Sequence, residues 1–367
     1  MKINGRPHRT IWVNPDGWSV EIIDQTRLPH AFETTTLRTA EDAARAIKDM
    51  FVRGAPLIGA TAAYGVCLAL REDASDTSLD AVIEMLAAQR PTAINLRWAL
   101  EGMREAVAEL PPENRVEAAY THANDLCDRD VETNRQIGLN ALPLIEKIAE
   151  QKEGGTVNIL THCNAGWLAC VDWGTATSPI YQAHDKGIPV HVWVDETRPR
   201  NQGAALTAYE LGAHGVPYTL IVDNAGGHIM QRGDVDLCFV GSDRTVANGD
   251  VCNKIGTYLK ALSAEDNAVP FYVTLPYSTI DWTLDDGFSI PIEERASEEV
   301  TTLHGRAPDG TLTSVDVTAA GGQVANPSFD VTPGRLVTGL VTERGICEAS
   351  TEGLLELYPE HASGTPG

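Results

Sequence analysis

The chain has 367 residues and a mass of 39.5 kDa, a length that fits two domains or one large α/β domain with an appendage. Lys and Arg number 28 against 51 Asp and Glu, a formal net charge of -23, so no global positive field exists to steer a nucleic acid. The longest stretch free of charge and histidine, Gly54–Leu70, is slightly short for a membrane span and reads as a buried helix.

The opening residues, Met1-Lys2-Ile3-Asn4-Gly5, lack the apolar core of a signal peptide. Thr10 to Asp24 alternates apolar and polar residues around Asn14-Pro15-Asp16-Gly17, a hairpin signal, and a third strand follows near Phe32 to Leu37. At Thr39 the period changes. Thr39 with Asp42 predicts a helix start, and apolar residues recur at helical spacing through Phe51. Helical patterns continue around 56–71, 77–89, 93–109, 114–128 and 131–150, separated by Pro, Gly or acidic breaks. This block ends near Gly154-Gly155.

Short apolar runs then appear at Val157–Thr161, Val190–Val194, Tyr218–Val222, Val235–Val240 and Phe271–Leu275, and near Leu336–Val341. Helical segments such as Gly203–Gly212 and Asn253–Ala264 lie between most of them. Strands alternating with helices predict an α/β fold with a Rossmann-like parallel sheet. The expected organisation is an N-terminal β-hairpin plus helical domain over 1–153, a Rossmann-like catalytic domain over 154–350, and a frayed acidic tail over 351–367. In such a sheet, ligands collect beyond the carboxyl ends of the strands.

Cys163 follows the first of these runs and Asp243 follows another, so both stand where a ligand is expected. A thiol there serves as acid, base or nucleophile when its pKa is tuned, and a carboxyl in an apolar cleft serves as a general acid. The adjacent His162 points to the opposite side of an extended segment and reads as a scaffold hydrogen bonder. The other six cysteines form no CxxC pair and read as buried structural residues, as in a reduced, cytoplasmic chain.

With only seven lysines, Lys254 in the polar loop Asn248–Gly256 is notable: a helix starting at Asn253 would join its N–H groups to that ammonium as an anion site. Arg53-Gly54-Ala55-Pro56 repeats the logic at another helix start, and Arg97 is a cation inside an amphipathic helix. GxGxxG, P-loop, Ser-His-Asp and HExxH patterns are absent from the sequence, which weighs against dinucleotide, nucleoside triphosphate and zinc-hydrolase readings.

Seven strings carry a resemblance: Arg53–Gly59, Asn95–Trp98, Thr161–Asn164, Glu196–Gly203, Gly241–Arg244, Ala247–Gly256 and Asn326–Pro333. In this order they resemble the methylthioribose-1-phosphate isomerase family, relatives of the regulatory subunits of translation initiation factor 2B. The resemblance implies Asp243 as proton donor and Cys163 as the second catalytic residue. It implies substrate contacts at Arg53, Gly54, Ala55, Arg97, Gln202, Asn253 and Lys254. Ala165 stands where the family commonly has threonine, and Trp167 is bulkier than its usual counterpart; both bear on substrate scope.

The implied reaction turns an aldose 1-phosphate into a ketose 1-phosphate, by a hydride shift or through an enediol, with neither a metal nor a nicotinamide cofactor. The partner expected is a small sugar phosphate, with no nucleic acid and no membrane, and the resemblance implies a homodimer. The alternatives are an isomerase of ribose 1,5-bisphosphate or 5-deoxyribose 1-phosphate, a sugar-phosphate binder without turnover, and a non-catalytic regulatory subunit.

Overall fold

A computed structural model describes residues 1–3, 5–91, 93–319 and 321–362. The hairpin forms as expected: β1 (Ile11–Val13) and β2 (Val20–Ile23) pair antiparallel, and β3 (Thr34–Leu37) adds to β2. Ile11 faces Ile22 and Val20 faces Leu37, which puts one apolar face of this sheet on the helical block. Asp16 fixes the turn by accepting from the Trp18 and Ser19 amides at 3.0 and 2.9 Å.

The block comprises α1 (Ala40–Lys48), α2 (Ala55–Glu72), α3 (Asp76–Ala87), α4 (Ile94–Val107) and α5 (Pro112–Gln151). Thr39 and Asp42 cap α1 reciprocally, as their spacing predicts. α2, free of charge as far as Leu70, is buried there on nearly every face and forms the centre of the block. The expected break between 128 and 131 is absent, because α5 runs unbroken for 40 residues. Asp130 is a tertiary anchor instead: its carboxylate accepts from the Val171 amide at 2.7 Å, and burial pushes its pKa up to about 7. The C-terminal half of α5 packs on the next layer through Ile137, Ala141 and Ile145.

The chain continues through β4 (Val157–Thr161), α6 (Ser178–Asp185), β5 (Val190–Asp195), α7 (Ala208–His214), β6 (Tyr218–Ile221), α8 (Ala225–Gln231) and β7 (Leu237–Val240). It then forms β8 (Arg244–Val246), β9 (Val251–Lys254), α9 (Thr257–Asp266), β10 (Phe271–Thr274) and β11 (Ile280–Asp281). An exposed hairpin follows, β12 (Thr302–Arg306) with β13 (Leu312–Asp316). Last come β14 (Phe329–Thr332), β15 (Gly339–Thr342), β16 (Gly345–Cys347) and α10 (Thr351–Leu357).

The main sheet has the order β16-β15-β10-β7-β4-β5-β6, parallel throughout except for the antiparallel β16. From β4 the chain steps outward to β5 and β6, then returns to the other side of β4 for β7. The order therefore reverses between β4 and β7, the crevice where a doubly wound sheet leaves room for a ligand. A second sheet, β11-β8-β9-β14, stands beyond the end of β7.

Two expectations need correction here. Asn253 and Lys254 end strand β9, and the helix begins only at Thr257, because Cys252–Lys254 pair with Phe329–Val331 of β14. The tail from 351 to 362 is not frayed. Ser350 caps α10, and Leu354 and Tyr358 are fully buried against the sheet core; residues 363–367 of the predicted tail lie outside the described residues. Among the described residues, no helix is long and apolar enough to cross a membrane.

Candidate active site

Cys163 and Asp243 leave the carboxyl ends of β4 and β7, the two strands that bracket the switch point. Their loops meet at Gly241, where a Cβ would lie 2.4 Å from the Ala165 Cβ. Cys163 adopts a left-handed conformation with φ 65°. Its amide donates to Thr197 Oγ1 at 2.8 Å, its carbonyl accepts from Thr207 Oγ1 at 2.6 Å, and its thiol donates to Gln202 Oε1 at 3.0 Å. Burial pushes the thiol pKa up, against the pull of Arg53 and Lys254. Burial likewise raises the Asp243 carboxyl, against Lys254, Arg53 and Arg90. Both groups are therefore held toward their neutral, protonated forms.

Two hollows share Arg53, Gly54, Ala55, Cys163 and Asp243 in their walls. Gly54 caps α2 at φ 90°, and a Cβ there would collide with Ala169 at 2.5 Å, so only glycine brings this helix start so close to the Cys163 loop. Arg53 donates to Asn164 Oδ1. Lys254 donates to the Ser328 carbonyl at 2.9 Å and lies 4.5 Å from the Phe329 ring centroid, and burial lowers its pKa. Asn253 lines the inner hollow and donates to Thr257 Oγ1 at 3.0 Å. Met50, Ile58, Ile290, Pro291 and Phe329 supply an apolar wall. Outward, Met50, Arg53, Arg200 and Gln202 also border a wider vestibule beneath the β12–β13 hairpin.

The structure thus gathers Arg53, Gly54, Ala55, Cys163, Gln202, Asp243, Asn253 and Lys254 at one site. Arg97 does not join them. It is exposed on α4, while its neighbour Asn95 turns inward to donate to Ser278 Oγ at 2.8 Å. The predicted anion site at the start of α9 is also filled, because the Asp330 carboxylate accepts from the Gly256 and Tyr258 amides at 2.7 and 3.1 Å. The helix start left facing the cavity is that of α2.

Four cavity cations were not among the predicted site residues: Arg90, Arg200, Arg244 and Arg295. Arg90 carries a readable signal, since like Arg53 it stands a few residues before a helix start, here that of α4. Arg200 lies inside the Glu196–Gly203 string. Arg295 belongs to the long segment after β11, where no pattern pointed to the cavity. The fold brings these cations to the cavity from separate parts of the chain, and they are compensated, Arg244 by Asp281 at 3.4 Å. Arg90 lies 3.5 Å from Glu293, Glu293 lies 3.2 Å from Arg295, Arg295 lies 2.7 Å from Glu299, and Glu299 lies 2.8 Å from Arg200. Although burial opposes it, hydrogen bonds from Arg295 and Arg200 hold the Glu299 carboxyl down at about 2.

Among the described residues one trio, His162, Asp195 and Asp223, brings ligand-type atoms within 4.8 Å of one another. The Lys260 ammonium lies among them, 3.1 Å from Asp195 Oδ2, and donates to the Asp223 carbonyl, so a positive charge is already built into that cluster.

Comparison with known proteins places the chain in a family. The family model described as the initiation factor 2 subunit family matches residues 51–349. A methylthioribose-1-phosphate isomerase of Sinorhizobium medicae is 64% identical over 99% of this chain and 100% of its own. One of Acidiphilium cryptum is 63% identical over the full length of both chains. The crystal structure of 5-methylthioribose 1-phosphate isomerase from Pyrococcus horikoshii superposes with a TM-score of 0.83 at 38% identity, covering 97% of each chain. That of a translation initiation factor eIF-2B delta subunit from A. fulgidus superposes with a TM-score of 0.80 at 36% identity, covering 96% of this chain and all of its own. The chain belongs to the methylthioribose-1-phosphate isomerase family, within the wider initiation factor 2 subunit family.

Proposed function

We propose that this cavity isomerises 5-methylthioribose 1-phosphate, an aldose phosphate, to 5-methylthioribulose 1-phosphate, a ketose phosphate. The observation that carries the reading is a half-buried acid and a buried thiol facing one cation-lined cavity from neighbouring strand ends. Relatives 62–64% identical over nearly the whole chain bear the name of that activity. A regulatory subunit of the same fold has no need of such a pair.

In this reading Arg53, Lys254 and the start of α2 at Gly54-Ala55 take the phosphate, with Arg90 beside them. Gln202 and Asn253 face the sugar. The phosphate blocks the anomeric oxygen, so ring opening cannot release a free aldehyde. Asp243, shifted by desolvation toward its protonated form, donates its proton to the ring oxygen. The bond from C1 to that oxygen breaks and C1 becomes cationic. Hydrogen moves with its electron pair from C2 to C1, and the C2 hydroxyl then loses its proton to give the ketone. Cys163 relays that proton to the Asp243 carboxylate and recovers its own, so both groups end as they began. A thiol raised by burial is a poor base toward carbon, which favours the hydride shift over an enediol. Exclusion of water protects the cation. No step draws on a metal or a nicotinamide. The activity belongs to methionine salvage, and we assign it to a cytoplasmic homodimer.

The apolar wall of Met50, Ile58, Ile290, Pro291 and Phe329 suits a methylthio group, and burying each methyl or methylene is worth about 0.8 kcal/mol. A phosphate at the 5-position would have to compete with Glu293 and Glu299 for their arginines. The test is kcat/KM for 5-methylthioribose 1-phosphate, 5-deoxyribose 1-phosphate and ribose 1,5-bisphosphate side by side, with the ketose followed by NMR. The methylthio sugar is expected first and the deoxy sugar lower by about 10–200-fold, with the bisphosphate last. A bisphosphate value equal to the first would overturn the substrate assignment.

Asp243→Asn and Cys163→Ala should each lower kcat at least about a hundredfold while leaving the melting temperature near that of the parent. Near-parental turnover in folded Asp243→Asn would remove the proton donor from this scheme. Arg90→Ala should raise KM at least about tenfold, the scale of a lost charged hydrogen bond, whereas Arg97→Ala should leave kinetics unchanged. The reverse pattern would restore Arg97 to the site.

A further inference from the structure

Behind Cys163 lies a circuit of buried charge that this chemistry does not use. His162, Asp195 and Lys260 are exposed by only 1%, 0% and 4%. His162 Nδ1 lies 2.8 Å from Asp195 Oδ2, and Nε2 lies 2.8 Å from the Ile255 carbonyl. Lys260 reaches the same Asp195 oxygen and also the Asp223 carbonyl. The Asp223 carboxylate in turn accepts from the Thr197 and Arg198 amides at 2.7 and 2.8 Å. Thr197 Oγ1 closes the circuit by accepting from the Cys163 amide. A path that leaves Cys163 through its peptide bond to His162 therefore returns to Cys163 at its own N–H.

Two members of the circuit carry backbone strain. Cys163 and Thr197 have φ of 65° and 63°, and for a β-branched residue such as threonine this is a costly conformation that persists only when its surroundings enforce it. Asp223 and Lys260 supply that enforcement at Thr197, and His162 with Asp195 supplies it beside Cys163. The imidazole has a second tether. Ile255 directly follows Lys254, and a Cβ on Gly256 would lie 2.9 Å from the ring, so His162 also fixes the chain carrying the substrate cation.

We propose that His162, Asp195 and Lys260 are positioning residues that set the two sides of the cavity against each other. Through Asp195 and Lys260, His162 holds Cys163 in its left-handed turn with the thiol on Gln202. Through Ile255 it holds the strand end that presents Lys254. The Lys260 ammonium supplies the positive charge that a cage of one histidine and two aspartates would otherwise take from a metal ion. The proposal rests on the reading of Cys163 as half of the reacting pair.

Two substitutions separate the tethers, because the asparagine amide reaches about as far as Nδ1 and the glutamine amide about as far as Nε2. His162→Asn keeps Asp195 and releases Ile255; His162→Gln does the reverse. The readouts are kcat, KM and the iodoacetamide alkylation rate of Cys163, resolved by peptide mass spectrometry, alongside the melting temperature. His162→Gln should lower kcat at least about thirtyfold with KM within about threefold, and speed alkylation at least about fivefold as the thiol leaves Gln202. His162→Asn should raise KM at least about fivefold and leave alkylation within about twofold. Parental kinetics and alkylation in folded His162→Gln would overturn the proposal, as would identical behaviour of the two variants. Asp195→Asn, which keeps the shape and removes the charge, serves if His162→Gln does not fold, and parental alkylation there overturns the proposal equally. Alkylation needs no substrate, so it reports on positioning even if Cys163→Ala proves active.

Discussion

The desolvation of Asp243, half-buried at the cavity wall, is the constraint on which the rest of the site depends. Three cations, Lys254, Arg53 and Arg90, stand close enough to pull its carboxyl toward ionisation, and desolvation at the switch point outweighs them. An ionised Asp243 would bind more tightly to those cations and would have no proton to give. The parallel sheet makes the burial possible. β4 and β7 are central strands, so their carboxyl ends open between helices and loops and not onto bulk water. The same burial keeps the Cys163 thiol protonated, and one physical cause therefore sets both reacting groups.

A protein of net charge -23 nevertheless concentrates cations around this cavity. They coexist because most are paired with carboxylates, Arg244 with Asp281 among them, while two are not. Arg53 and Lys254 are held by neutral oxygens, the Asn164 amide and the Ser328 carbonyl, and keep their charge for an anion. Arg90, Arg200 and Arg295 are laced to Glu293 and Glu299 along the cavity. Removing Glu293 would leave the half-buried Arg90 without its carboxylate, and removing Glu299 would do the same to the exposed Arg200. The lacing also joins the helical block to the sheet, since Arg90 precedes α4 and Arg200 follows β5. Anion recognition and the docking of the two halves of the molecule thus share residues.

Much of this was legible in the sequence, and the failures have physical reasons. The period change at Thr39 and the short apolar runs after Gly155 carried the architecture, because local hydrophobic pattern and burial agree there. Cys163 and Asp243 were found by a rule of position, the polar residue after a buried strand, which holds because the sheet is parallel. The acidic stretch Asp128–Asp130 misled, because its cost in a helix is offset by a partner 41 residues away in sequence. Asn253–Lys254 misled for a similar reason: β14, some 75 residues downstream, recruits them into a strand, and Asp330 then occupies the helix start. Arg97 lies on the exposed face of α4 and Arg90 in the turn before it, a difference the neighbouring apolar residues did not decide. Arg295 was unreadable, because the segment after β11 is placed by ion pairs and not by any periodicity.

The claim that desolvation defeats three cations at Asp243 is open to direct measurement. Infrared difference spectra between the parent and Asp243→Asn isolate the carbonyl stretch of the protonated Asp243 carboxylic acid, whose amplitude is followed against pH. The account predicts a midpoint above the ordinary aspartate value of about 3.9, so that the acid form persists to higher pH than in a solvated aspartate. A midpoint at or below that value would mean that the cations win, and Asp243 would then be an ion-pairing carboxylate without a proton to donate.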